Sequence, residues 1–127
     1  MAKTIPMAFL IGGAICTLGE ALLNMYAALG FSQDDAGALT SMSLIFLSAL
    51  LTGFKLYDRL AQHAGAGTLV PITGFANSIV SPALEFKSEG YVLGLGAKMF
   101  VIAGPVLVYG ISASIVYGII YYIQTLL

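Results

Sequence analysis

The stretch Ala64-Gly-Ala-Gly-Thr-Leu-Val-Pro-Ile-Thr-Gly-Phe-Ala-Asn-Ser-Ile-Val-Ser-Pro-Ala-Leu84 decides how this chain is read. It carries no charged residue and has the length of a membrane crossing, for which roughly 20 apolar residues suffice. Its composition is wrong for a plain spanning helix. Pro71 and Pro82 each remove a backbone donor, and Gly65, Gly67 and Gly74 add flexibility. Unpaired backbone in lipid costs several kcal/mol per group, so such backbone reaches membrane depth only where protein covers it or water enters. The stretch therefore reads as a re-entrant or broken segment, with a short helix from about Pro71 to Leu84.

Outward from this strip the chain is strongly apolar. Ile5–Leu29 reads as a first span, interrupted once by Glu20. A polar turn follows over Phe31–Gly37, with Asp34 and Asp35 adjacent. Leu39–Leu56 reads as a second span, bounded by Lys55, Asp58 and Arg59. Beyond the strip comes a polar segment, Glu85–Gly90, and then Tyr91–Leu127, whose one charge is Lys98. That last segment would span ~55 Å as a single straight helix. It reads either as a short helix over Tyr91–Ala103 with a span over Pro105–Ile123, or as one kinked, tilted helix. Gly110, Ser114 and Gly118 form a small-residue stripe that would let another helix approach. Tyr117, Tyr121 and Tyr122 fall where an interfacial aromatic belt would sit.

Composition agrees. Of 127 residues, 59% are hydrophobic and only 9% charged, with mean hydropathy +0.96. A soluble domain has about 25% charged residues, so a soluble globular enzyme is excluded. Disorder requires high charge and low hydrophobicity. The net charge of −1 gives nucleic acid nothing to bind. The expected fold is all-α: a polytopic integral membrane protein with about three full spans plus the broken segment, forming one transmembrane domain over residues 1–127, in contact with membrane lipid. One cysteine, Cys16, and one histidine, His63, exclude an internal disulfide and a Cys/His metal cluster. Lys3 before an apolar run resembles a signal peptide, but no small-x-small cleavage site follows, and Ile15 before Cys16 does not fit a lipoprotein. The run is expected to be retained as a helix.

Loop charge sets an orientation. With Lys3 inside, Asp34 and Asp35 fall outside and Lys55 and Arg59 inside. If the broken segment dips in and returns, Lys87 is inside too, and all four cations outside the apolar segments share one face, as the positive-inside rule prefers.

Several residues are candidates for a solute path. Glu20 is a carboxylate well inside a span, where charge is expensive and faces a cavity or a partner; alternatively it is a hydrogen-bonded packing group. Gly65, Gly67, Thr68, Pro71, Thr73, Gly74, Asn77 and Ser78 combine flexible backbone with neutral donors. Pro71 suits the first position of a helix, whose N-terminal amides within the membrane could face an anion. The competing reading is a tight hairpin whose glycines serve only packing. Lys98 either pairs with Glu20, attracts an anion, or snorkels to the interface. Arg59 and His63, at i and i+4 beside Asp58, read best as a solvated helix end. Leu51-Thr-Gly-Phe54 and Ile72-Thr-Gly-Phe75 form a faint echo of the kind seen in transporters built from repeated halves. No nucleophile–base pair, phosphate loop or metal-ligand cluster occurs, so no enzymatic activity, catalytic residue or cofactor is expected.

The assembled motifs resemble a known family. Phe9-Leu-Ile-Gly-Gly-Ala-Ile-Cys-Thr-Leu-Gly19, Leu50-Leu-Thr-Gly-Phe-Lys-Leu-Tyr-Asp-Arg-Leu60, Ala64-Gly-Ala-Gly67 and Val70-Pro-Ile-Thr-Gly-Phe-Ala-Asn-Ser78 lead. Glu89-Gly-Tyr-Val-Leu-Gly-Leu-Gly96 and Met99-Phe through Ala103-Gly-Pro105 complete them. The chain resembles the stage V sporulation AC/AE membrane proteins, its AC members above all, from Phe9 to about Gly118. That resemblance implies a place in the inner spore membrane of endospore formers, in a complex that moves dipicolinic acid with calcium during spore formation and germination. It implies channel behaviour and assembly as a homo-oligomer or with related sporulation membrane proteins. The family usually carries Gln where this chain has Glu20, and its polar N-terminal extension is nearly absent here.

Two function classes follow. The first is a channel or transporter subunit for dipicolinic acid, whose planar dianion suits the donors around Pro71–Ser78. The second is a non-conducting membrane scaffold that anchors the other components. A holin-type lysis protein is a third, and the polar strip counts against it.

Overall fold

The computed structural model describes residues 4–126. Among these residues the chain is helical throughout, without a strand. α1 is Thr4–Ala28, α2 Gln33–Gly53, α3 Leu56–Ala64, α4 Ala66–Leu69, α5 Ile72–Glu85 and α6 Ala97–Leu126. A 3-10 turn, Lys87–Glu89, and a wide π-type turn, Tyr91–Gly96, join α5 to α6. Three helical segments are long and apolar enough to cross a membrane: Ile5–Ala28, Gln33–Gly53 and Tyr91–Leu126. α5, with 14 residues, would extend only ~21 Å and falls short of the ~30 Å hydrocarbon layer. The protein is thus an all-α polytopic membrane protein with a broken segment between its second and third spans. Lys3, which anchors the charge-based orientation, lies outside the described residues.

Breaks in the helices follow the backbone chemistry of a few residues. Gly30 ends α1 with φ 92° and Gly65 separates α3 from α4 with φ 50°, conformations natural for glycine. The polar turn expected over Phe31–Gly37 is shorter than its composition suggests, because α2 begins at Gln33. Ser32 caps it, accepting from the Asp35 amide at 3.2 Å. Asp34 and Asp35 occupy the first turn, where carboxylates favour the helix dipole. Lys55 ends α2 in the left-handed region, φ 58°. Pro71 is extended and caps α5, whose first helical residue is Ile72 rather than the proline.

Tyr91–Leu127 resolves toward the single-helix reading: α6 runs unbroken through Pro105. The missing donor at Pro105 is one backbone bond in a long ladder, and the flanking turns hold the helix. The repeat suggested by the two Thr-Gly-Phe motifs is not a structural one. Thr52-Gly53 closes α2, whereas Thr73-Gly74 opens α5.

α1 packs on α2, α3 and α4; α2 packs on α5; α5 packs on α6. Few residues are fully buried: Ala36, Leu44, Ser48 and Thr52 on α2, Tyr57 and Ala64 on α3, Gly67 and Thr68 on α4, Thr73, Gly74 and Ala76 on α5, then Gly94 and Ala103. Every one of these residues except Leu44 is small or hydroxylic. That suits a fold in lipid, where helices gain by close approach and hydrogen bonding rather than by hiding apolar surface. The small stripe Gly110, Ser114 and Gly118 is exposed, as are Tyr117, Tyr121 and Tyr122, at 70%, 58% and 63%.

Candidate functional site

Ser48 and Thr52 lie one turn apart on α2, and Thr73 and Asn77 lie one turn apart on α5. The Ser48 hydroxyl donates to the Thr73 carbonyl, and Thr52 Oγ1 is 2.7 Å from Asn77 Oδ1. Residue number rises together along both helices, so α5 runs parallel to α2. It therefore descends toward the face where α2 ends. The C-terminal residues of α5 meet that end: Ser81, Leu84 and Glu85 share a cleft with Thr52, Lys55 and Asp58. The chain enters through α3 and α4, turns at Leu69–Pro71, and returns on α5 to the same face. This is the re-entrant course, and it places Lys87 with Lys55 and Arg59.

The seam continues into α3. The Tyr57 hydroxyl, buried, is 2.8 Å from the Thr68 carbonyl and 2.9 Å from Thr73 Oγ1. A phenol has one proton, so Tyr57 donates to the carbonyl and accepts from Thr73. Burial pushes the Tyr57 pKa up, partly offset by the Thr73 hydrogen bond, and the phenol stays neutral at physiological pH. Thr52 faces the same constraint. It is 2.7 Å from the Ser48 carbonyl as well as from Asn77, and its single proton can serve only one of them. Turning the Asn77 amide over lets its NH2 donate to Thr52 while Thr52 donates to Ser48. Among the described residues, every buried side-chain nitrogen and oxygen has a partner.

The glycines of the strip have a packing role. A Cβ on Gly67 would stand 2.2 Å from the Ala8 carbonyl oxygen, and one on Gly12 would meet Gly67 at 3.2 Å. α1 and α4 therefore touch backbone to backbone. A Cβ on Gly74 would stand 2.2 Å from the Thr68 carbonyl oxygen and 2.6 Å from that of Leu69. The N-terminal amides of α5, read from the sequence as able to face an anion, find no open space beside Gly74. The end of α4 fills that space, because the turn between α4 and α5 is too tight to leave a cradle.

The other expected site residues are placed as follows. Gly65 is exposed, and its carbonyl accepts from the Thr68 hydroxyl at 3.1 Å. The Pro71 carbonyl accepts from the Gly74 amide at 2.8 Å. The Ser78 hydroxyl donates to the Phe75 carbonyl at 2.7 Å, within its own helix. Glu20 is exposed on α1, where Asn24 Nδ2 donates to Oε1 at 3.1 Å. Lys98 lies over the Phe86 ring, 4.5 Å from its centre, a cation–π contact. α1 and α6 stand at opposite ends of the row of helices, so Lys98 is held by Phe86 rather than by Glu20. The structure thus gathers Thr68, Thr73, Gly74 and Asn77 into one seam and leaves Glu20 and Lys98 apart from it. Sequence reasoning missed Ser48, Thr52 and Tyr57. The i, i+4 hydroxyls in the otherwise apolar C-terminal half of α2 were the available signal.

The sequence is matched over residues 4–120 by the family model of the SpoVAC/SpoVAEB sporulation membrane proteins. The chain belongs to that family. The chain is 54% identical over 114 residues to stage V sporulation protein AC of Bacillus subtilis (strain 168), covering 89% of this chain and 76% of that protein. It is also 39% identical over 69 residues to plasmepsin VII of Plasmodium berghei (strain Anka). That alignment covers 52% of this chain and 14% of plasmepsin VII, and carries no argument about function. No solved structure matches. The SpoVAC/SpoVAEB match takes in α1 through α5 and most of α6, so the whole seam lies within it.

Proposed function

We propose that this sporulation membrane protein is a subunit of a channel or transporter that moves dipicolinic acid, with calcium, across the inner spore membrane in spore formation and germination. The reading rests on family membership and on the resemblance set out above. The observation that carries it is the re-entrant segment: a polar, hydrogen-bonded seam between a broken element and a spanning helix. Thr68, Thr73, Asn77 and Ser78 remain the proposed donors along the path, with Pro71, Gly65, Gly67 and Gly74 shaping it. Glu20 and Lys98 are proposed as outlying charged groups that bear on selectivity. Three spans enclose no wide pore, so further copies or related sporulation membrane proteins complete the path.

A second reading has a specific observation behind it. The hydroxyls and amide of the seam already satisfy one another, as a purely structural latch would require. On that reading the chain is a non-conducting scaffold that anchors the other components. Liposomes loaded with dipicolinate, with and without calcium, and bearing only this chain distinguish the two. Release above that of protein-free liposomes supports the channel. Retention of dipicolinate, with other sporulation membrane proteins still co-purifying, supports the scaffold.

A further inference from the structure

We propose that the cleft between the ends of α2 and α5 binds a lipid phosphoethanolamine headgroup. The cleft has a volume of about 530 Å³, within the range of sites that hold a small molecule. Its walls carry one cation, Lys55, two carboxylates, Asp58 and Glu85, and two hydroxyls, Thr52 and Ser81. That is an unusual concentration of charge in a chain with 9% charged residues. A simple anion would meet two carboxylates there, and a simple cation would meet the lysine. A zwitterion satisfies both: its phosphate faces Lys55 and the Ser81 hydroxyl, the Thr52 proton being already given to the Ser48 carbonyl, and its ammonium faces Asp58 and Glu85.

Position selects a lipid as the source. The cleft lies where α2, a crossing helix, ends at Gly53, which is the hydrocarbon boundary. Leu84 lines it and is half exposed, and Phe54, which follows α2, and Leu56, which opens α3, stand exposed at 73% and 49%. A headgroup in the cleft would leave its acyl chains against these side chains. A primary ammonium can donate hydrogen bonds to the carboxylates, whereas the quaternary ammonium of a choline lipid cannot. A glycerol lipid supplies no cation at all.

Native mass spectrometry of the purified full chain tests this, with phosphatidylethanolamine, phosphatidylcholine and phosphatidylglycerol offered in equal amounts. The wild type is expected to retain the ethanolamine lipid roughly tenfold over the other two, the equivalent of about one charge-assisted hydrogen bond. Lys55→Gly removes the cation at a position whose φ of 58° suits glycine, so the fold survives. It should reduce retention of the ethanolamine lipid, because it removes the cation that faces the lipid's phosphate. Asp58→Asn with Glu85→Gln should abolish the preference for ethanolamine over choline. Equal retention of all three lipids by the wild type would overturn the proposal. So would a preference untouched by both sets of variants. Soluble O-phosphoethanolamine occupying the site at the same concentration as lipid would overturn the lipid assignment.

Discussion

Thr52 on α2 and Asn77 on α5 meet at 2.7 Å, one turn beyond the contact between Ser48 and Thr73. Two contacts at the same i, i+4 spacing on both helices fix direction as well as register. They make α5 parallel to α2, and a parallel α5 sends the chain back to the face it left.

Accessibility labelling checks this course. In a Cys16→Ser background, cysteines introduced at Asp35 and at Lys87 are expected to react from opposite faces of the membrane, and one at Lys55 from the same face as Lys87. Cys16 is free and exposed on α1, where serine is nearly isosteric. Labelling of positions 35 and 87 from one face would contradict the re-entrant course.

The close approaches predict which glycines are intolerant. Gly74→Ala and Gly67→Ala each force a methyl group to 2.2 Å from a backbone carbonyl oxygen, where no flexible side chain can yield. Each is expected to cost more than the ~1–3 kcal/mol typical of overpacking, seen as lost thermal stability in detergent. Gly110→Ala has open space around it and should leave the isolated chain's melting temperature unchanged. A Gly74→Ala protein as stable as wild type would contradict the close approach of α4 to α5.

Tyr57→Phe removes the one hydroxyl that joins α3, α4 and α5, leaving the Thr68 carbonyl and the Thr73 hydroxyl short of a partner. A loss of about 1–3 kcal/mol is expected. The pH dependence has a defined sign. Burial raises the pKa of Tyr57 in the folded state above its value of 10.0. The neutral phenol's contribution is therefore complete below that value and is lost as pH rises through the folded pKa. An alkaline loss of stability in wild type should be smaller in Tyr57→Phe, as read by unfolding from pH 8 upward.

Glu20→Gln should preserve the fold, because the side chain is exposed and its contact with Asn24 can be remade by an amide. If Glu20 faces a solute path completed by another subunit, the substitution changes the rate of dipicolinate flux or its dependence on calcium. Identical flux from both proteins would make Glu20 a helix-packing group.

The sequence makes the spans and the broken segment readable for physical reasons. Long apolar runs and in-membrane prolines constrain the backbone locally, whatever the rest of the chain does. Pro71 and Gly65 announce their breaks. Tertiary relationships were less visible. Ser48 and Thr52 look like tolerated hydroxyls in an apolar helix until α5 is set beside them. Gly74 has the same appearance whether it opens a path or admits a carbonyl oxygen, and only the fold of α4 decides. Glu20 and Lys98 form an attractive opposite-charge pair on paper, but a row of intervening helices separates α1 from α6.

Thr52 keeps its bond to the Ser48 carbonyl when Asn77 is lost, so Asn77→Leu should cost only about the ~0.6 kcal/mol of an average interhelical hydrogen bond in a membrane. It removes a donor from the seam and adds apolar bulk. This makes it the most direct probe of whether the seam between α2 and α5 lies on the solute path. Dipicolinate release is measured from liposomes bearing equal amounts of wild-type and Asn77→Leu protein, both shown to be inserted and helical. The account predicts release from wild type and a loss of roughly tenfold or more in the variant, the equivalent of one charge-assisted hydrogen bond. Equal release from both would place the path elsewhere and contradict it.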